Sequence, residues 1–176
     1  MPAKRSAGLL VFRRRAGEGA EVLIAHMGGP FWARREAGAW SIPKGEYEAD
    51  EEPLAAARRE FVEETGMAPP TGTAIELGEL VQSGGKRVAA WAVEGDLDAT
   101  RVRSNTFAME WPRGSGRVQE FPEIDRAEWV ALDTARERLV RGQVAFIDRL
   151  AALLDEAGSA AGATSGGGPG TASTPA

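Results

Sequence analysis

The side chains best equipped for chemistry in this sequence are carboxylates, and they crowd into one stretch. Gly45-Glu46-Tyr47-Glu48-Ala49-Asp50-Glu51-Glu52 runs into Pro53-Leu54-Ala55-Ala56-Ala57-Arg58-Arg59-Glu60-Phe61-Val62-Glu63-Glu64-Thr65-Gly66. On a helix, Glu60 and Glu64 lie one turn apart and Glu60 and Glu63 are also neighbours. Like charges at these spacings destabilise a helix by roughly 0.2–0.5 kcal/mol per pair. A divalent cation among them would offset that repulsion. Mg2+ takes oxygen ligands and keeps waters that also bridge substrate phosphates. An acidic run of this kind also arises as a solvated helix face, with Arg58 and Arg59 as counter-ions.

Composition narrows the choice. The 176 residues include no cysteine and a single histidine, His26. Disulfides, thiolate nucleophiles and Cys-type zinc sites are excluded. Acid–base and metal chemistry therefore falls to carboxylates, and an oxygen donor set favours a hard cation. The net charge of −5 is the reverse of what duplex nucleic-acid binding needs, so no such partner is expected. Met1–Arg5 is short and charged, and Ala7–Phe12 is too brief for a signal h-region. No stretch approaches the roughly 18 apolar residues that cross a bilayer. The expectation is a soluble, cytoplasmic protein with no membrane partner.

Several elements must position the carboxylates. Pro53–Thr65 is predicted as a helix, with Pro53 suited to the first turn, acidic residues before it, and Gly66 as a stop. Leu54, Ala57 and Phe61 give it an apolar stripe. Gly8–Phe12 and Glu21–His26 read as strands joined by Arg13–Ala20. A Gly-rich loop, Met27–Ala39, leads to a short strand at Trp40–Ile42, which Pro43-Lys44-Gly45 ends. Ile75–Val81, Lys86–Val93, Thr106–Trp111 and Glu128–Leu132 are further strands, and Asp133–Val140 a short helix. Gln143–Glu156 is amphipathic. Residues 1–157 have enough apolar content for one domain. From 158 to 176 the chain is Gly, Ala, Ser, Thr and Pro, the composition of a disordered tail. The mixed order of strands and helices suggests an α/β or α+β sandwich.

Gly45, five residues, Glu51, seven residues, then Arg59-Glu60-Phe61-Val62-Glu63-Glu64-Thr65-Gly66-Met67 resembles the Nudix hydrolase signature, G-x5-E-x7-R-E-U-x-E-E-x-G-U, where U is bulky and apolar. Every fixed position is met. The resemblance implies an α/β/α sandwich around a mixed sheet, with Mg2+ as cofactor and Mn2+ as a substitute. It implies that Glu60, Glu63, Glu64 and the Gly45 carbonyl bind metal, and that Glu60 helps activate water. Arg59 would orient Glu60, and Glu51 would support the junction of loop and helix. The implied reaction is attack of metal-activated water on a phosphorus of a diphosphate.

Nudix enzymes often carry a further glutamate ahead of a tryptophan-bearing late strand. Glu123, upstream of Trp129, is the preferred equivalent and Glu120 the alternative. Trp40-Ser41-Ile42-Pro43-Lys44-Gly45 is similar to the lead-in of Nudix enzymes that act on dinucleoside and inositol polyphosphates, so Lys44 is assigned to substrate phosphate, and Lys86 after the Gly84-Gly85 turn likewise. In the Gly-rich loop, Phe31 or Trp32 would stack on a base and Arg34 would add charge, unless the aromatics simply close the core edge. Trp40, Trp91 and Trp129 read as core, Trp111 as a rim residue and His26 as structural. Val81 stands where ADP-ribose enzymes are expected to show proline, and Gln82 and Ser83 where dinucleoside polyphosphate enzymes are expected to show tyrosine. The lead-in favours a dinucleoside polyphosphate or nucleoside triphosphate, ahead of ADP-ribose or nucleotide sugars. The partner is then a small nucleotide, and the assembly a monomer or homodimer. A non-catalytic nucleotide- or RNA-binding module of the same fold would be expected to have lost box carboxylates; all are present here.

Overall fold

The computed structural model describes residues 4–163. β1 (Arg5–Arg15) and β2 (Gly19–Met27) form an antiparallel hairpin, with Gly17 and Gly19 at positive φ in its turn. Both strands run further than the apolar pattern predicts. Arg13 and Arg15 extend β1 because their guanidinium groups pair across to Glu21 at 2.7 and 3.3 Å.

β1 pairs in parallel with β6 (Arg87–Glu94), and β5 (Ile75–Val81) lies antiparallel on the far side of β6. β2 takes β9 (Ile124–Ala131) and the short β3 (Trp40–Ser41) as antiparallel partners. One parallel pair among antiparallel ones makes the sheet mixed, as expected. Where Pro43-Lys44-Gly45 is expected to end a strand, the structure instead has β4 (Lys44–Glu46), paired with β1.

β1 therefore changes partner along its length. Ser6, Ala7 and Gly8 face Glu46, Gly45 and Lys44, whereas Phe12 to Arg15 face β2. The chain from Trp40 to Glu46 crosses the gap from β2 to β1. At Gly8 it comes so close that an added Cβ would meet Ile42 at 2.8 Å.

Both faces of the sheet are buried, which accounts for the unbroken buried run from Ser6 to Phe12. Leu9 and Val11 point to α1 (Pro53–Thr65), where they meet Ala56, Ala57 and Phe61. Leu10 and Phe12 point to α3 (Val144–Ala163), where they meet Phe146, Ile147 and Leu150. This is the expected α/β/α sandwich. α1 has its predicted bounds. Glu52 caps it by accepting from the Leu54 and Ala55 N–H groups at 3.0 and 2.7 Å, and Gly66 ends it at φ 69°.

Other bounds differ. β7 (Thr106–Glu110) pairs with β8 (Val118–Pro122) in a separate ribbon, and β8 has no burial alternation to betray it. α2 spans Leu132–Arg138. α3 continues through 158–163, where a disordered tail is expected. Alanine, the strongest helix former, favours the continuation, whose residues are exposed. The rest of that tail lies outside the described residues. No described helix is long and apolar enough to cross a membrane.

Candidate active site

β4 and the C-terminal half of α1 lie against each other, and the box residues meet at that junction. A Cβ on Gly45 would overlap the Glu60 carboxylate, so the signature glycine is required by close approach. Arg59 is the hub. Its Nε and Nη2 donate to the two carboxylate oxygens of Glu51 at 2.9 and 3.0 Å, a bidentate pair. Its Nη1 donates to Glu60 at 2.5 Å and to Glu63 at 3.3 Å, and its Nη2 reaches the Glu46 carbonyl at 3.3 Å. Arg59 thus orients Glu60, and Glu51 ties the loop to the helix through Arg59. The guanidinium also holds the Glu51 carboxyl below its ordinary range.

Glu64 accepts the Lys44 backbone N–H at 3.0 Å. Desolvation pushes its pKa up to about 7, against the opposing pull of that hydrogen bond and the Lys44 charge. Glu123 and Glu60 push it further up. Glu60 is also raised, by desolvation first and then by Glu63 and Glu123, with Arg59 opposing. The charge of Glu123, the exposed residue between β8 and β9, thus acts on both box carboxylates. Glu120 does not; it sits exposed on β8 opposite Ala108. The Lys44 ammonium is lowered by burial and by Lys86, whose own ammonium reaches Glu46 at 3.3 Å.

These groups fit a hard divalent cation by their chemistry. All are oxygen donors, and Glu60 and Glu64 are both raised, by burial first and then by neighbouring carboxylates that include Glu123. Among the described residues no three such groups form a ready-made metal cage. Glu60 and Glu63 are turned to Arg59, and Glu64 to the Lys44 N–H.

The aromatic expectations resolve unequally. Trp32 packs on the core cluster beneath α3, so it closes the core edge, and Arg35 lies 5.8 Å over its ring. Phe31 stays 49% exposed, edge-on to Trp111 at 5.6 Å. Arg34 is exposed on the same loop and contacts none of the box residues. Trp40 is fully buried, while Trp91 and Trp129 are half-buried. His26 is buried between Asp125 and the Arg35 carbonyl, each at 2.8 Å, a structural position.

Sequence reasoning missed a cleft of about 510 Å3 beside Lys44, lined also by Met27, Ser41, Gln82, Arg141 and Gln143. Gln143 is buried at the foot of α3. It accepts the Ile42 N–H and donates to the Ser41 hydroxyl, both at 2.9 Å, and so fixes the backbone leading to Lys44. In the sequence, the assignment of Lys44 to substrate phosphate and the placement of Gln82 and Ser83 at a substrate-marking position were the hints of it.

A NUDIX domain model matches residues 2–150. An RNA pyrophosphohydrolase of Bartonella henselae is 37% identical over 153 residues, covering 76% of this chain and 79% of that protein. An octanoyltransferase of Myxococcus xanthus is 31% identical over 138 residues, covering 78% of this chain. The chain spans only 34% of that protein's length. Among solved structures, a C. elegans Ap4A hydrolase binary complex superposes with a TM-score of 0.60 at 21% identity, covering 86% of this chain and 98% of that one.

Proposed function

Because the chain belongs to the NUDIX family, we propose that it is a Mg2+-dependent hydrolase that cleaves a diphosphate linkage in a nucleoside polyphosphate, either a dinucleoside polyphosphate or a nucleoside triphosphate. One observation carries this reading. Burial beside Lys44 pushes Glu64 up to about 7, and the charges of Glu123 and Glu60 add to that rise. Such perturbed carboxylates mark sites built for charge-bearing ligands.

Glu60, Glu63, Glu64 and the Gly45 carbonyl would hold the Mg2+, which when bound polarises a phosphoryl oxygen and lowers the proton affinity of water. The chain's own groups do the rest. Arg59 keeps Glu60 in one orientation. Glu60 or Glu123 would take the proton of the attacking water. Lys44, and Lys86 behind it, supply the positive charge a polyphosphate needs in an acidic protein. Kinship with an RNA pyrophosphohydrolase and the fold shared with an Ap4A hydrolase support a polyphosphate over other diphosphate substrates.

The test is a panel of dinucleoside polyphosphates, nucleoside triphosphates, ADP-ribose and nucleotide sugars, with and without Mg2+, in 18O-labelled water. Label in a phosphate product of a polyphosphate, only with metal, is the expected outcome. Preference for ADP-ribose or a sugar nucleotide would replace the substrate assignment. No hydrolysis with any metal would mean a binding module.

A further inference from the structure

The ribbon of β7 and β8 serves neither the carboxylate centre nor the cleft beside Lys44. It leaves the end of α1, where the Asn105 N–H donates to the Glu63 carbonyl at 3.2 Å. It closes at its far end, where the Trp111 N–H donates to the Arg117 carbonyl at 2.9 Å. Its base is seated on the loop after β2. The Gly28 N–H donates to the Glu123 carbonyl at 2.8 Å, and a Cβ on Gly29 would meet the Phe107 ring at 3.0 Å. At about 3.3 Å per residue, the extended chain from Asn105 to Trp111 carries the tip roughly 20 Å from that base.

Two kinds of side chain meet at the tip. Phe31 is exposed and stands edge-on to the half-buried Trp111, and Arg113 lies 5.8 Å over the Phe31 ring. Arg113 and Arg117 are exposed, as is Arg34 on the loop, and none of the three pairs with a carboxylate among the described residues. Glu110, the carboxylate at this end of β7, is taken by the Gly116 N–H at 2.5 Å. The tip is thus an aromatic platform flanked by unneutralised positive charge, on a chain whose net charge is −5. Rings beside cations are how proteins hold single strands, because every base has a face to stack and every link a phosphate. A duplex hides its base faces and offers no such contact.

We propose that the ribbon tip binds the body of a single-stranded RNA whose 5′ polyphosphate end lies at the carboxylates. Bases stack on Phe31 and Trp111, and backbone phosphates meet Arg113 and Arg117. The inference rests on the polyphosphate reading and names its substrate class. A nucleoside triphosphate held at the carboxylates has one base and no phosphate to spare for so distant a tip. A dinucleoside polyphosphate ends in an uncharged nucleoside, which gives the arginines nothing to bind. RNA rather than DNA follows from its synthesis: a chain begun without a primer keeps its first triphosphate.

The test uses an RNA of about ten nucleotides, within the span of single-strand sites. Wild type is compared with Phe31→Ala and with the double variant Arg113→Gln/Arg117→Gln. Melting curves check that both variants fold. Binding of the 5′-hydroxyl RNA without metal, read by fluorescence anisotropy, involves no turnover. Each variant should bind at least about fivefold more weakly. In the double variant, the slope of log affinity against log salt should also flatten by about 1.4, for two phosphates released. Unchanged affinity in either variant, or no binding by wild type, would overturn the proposal. In turnover, kcat/KM for the 5′-triphosphate RNA relative to a nucleoside triphosphate should fall at least about fivefold in the double variant, with the loss in KM. Equal losses on both substrates would mean that the tip serves a single nucleotide, and would overturn it too. If wild type binds the strand through these residues yet cleaves no triphosphate, the hydrolase reading falls and the tip assignment stands.

Discussion

The two halves of the site are built on opposite plans. On the acidic half, Glu51, Glu60 and Glu63 are tied to Arg59, and Glu64 to the Lys44 N–H. On the donor half, the Gln82 amide nitrogen has no hydrogen-bond partner and Arg141 no ion pair among the described residues. The first half is held in shape by the protein, because converging carboxylates repel and need fixed counter-charges. The second half is shaped by backbone contacts at Gln82 and by the Gln143 side chain bonded to Ile42 and Ser41. Preorganisation against repulsion and readiness for a ligand are thus separate properties here, and they fall on different residues.

The comparison breaks most sharply at Glu64. Glu64→Gln keeps the shape of the helix and removes the charge, and kcat should fall roughly a thousandfold, as when a transition-state electrostatic group is lost. Circular dichroism should show the fold intact. Undiminished kcat would remove the metal-centre assignment. Arg59→Ala tests whether the acidic half needs its hub. Releasing Glu60 and Glu63 should weaken Mg2+ activation roughly 10–100-fold, the usual scale for groups that orient metal ligands. This is read from kcat/KM against Mg2+ concentration. Glu123→Gln should cost less than either, since Glu123 acts from a separate loop. No loss at all would pass its role to Glu120.

A smaller effect concerns protons. Glu64 has an ordinary value of 4.5 and a folded one of about 7. Raised by folding, it contributes stability that is full below 4.5 and lost as pH climbs through about 7, because the unfolded chain gives up the proton first. Without metal, the Tm of the wild type should therefore decline between pH 4.5 and 8 more steeply than that of Glu64→Gln. Mg2+ should narrow the gap. Parallel curves would mean that Glu64 is not under electrostatic stress.

The acidic half was legible in the sequence because its information is local. Spacing, Pro53 and Gly66 defined α1, and the resemblance to the Nudix signature implied the roles of Glu60 and Arg59. The donor half was not legible. Met27, Ser41, Gln82 and Arg141 come from distant segments, and only the folded chain brings them together. The aromatics show the same limit: Phe31 and Trp32 are adjacent, and which one faces the core depends on the path of the loop. β8 escaped notice because a two-stranded ribbon with neither face buried leaves no alternation to read.

The switch of partners along β1 has a consequence for motion. Gly45 and Lys44 are paired with a strand that also carries β6 on its other edge, and the Lys44 N–H is held by Glu64. Freeing them means unzipping the central ladder, not lifting a flap. The Gly45 amide proton should thus exchange with solvent as slowly as those deep in the sheet, and whatever accommodation the enzyme makes to its ligand must come from the ribbon and loops around an immobile anvil.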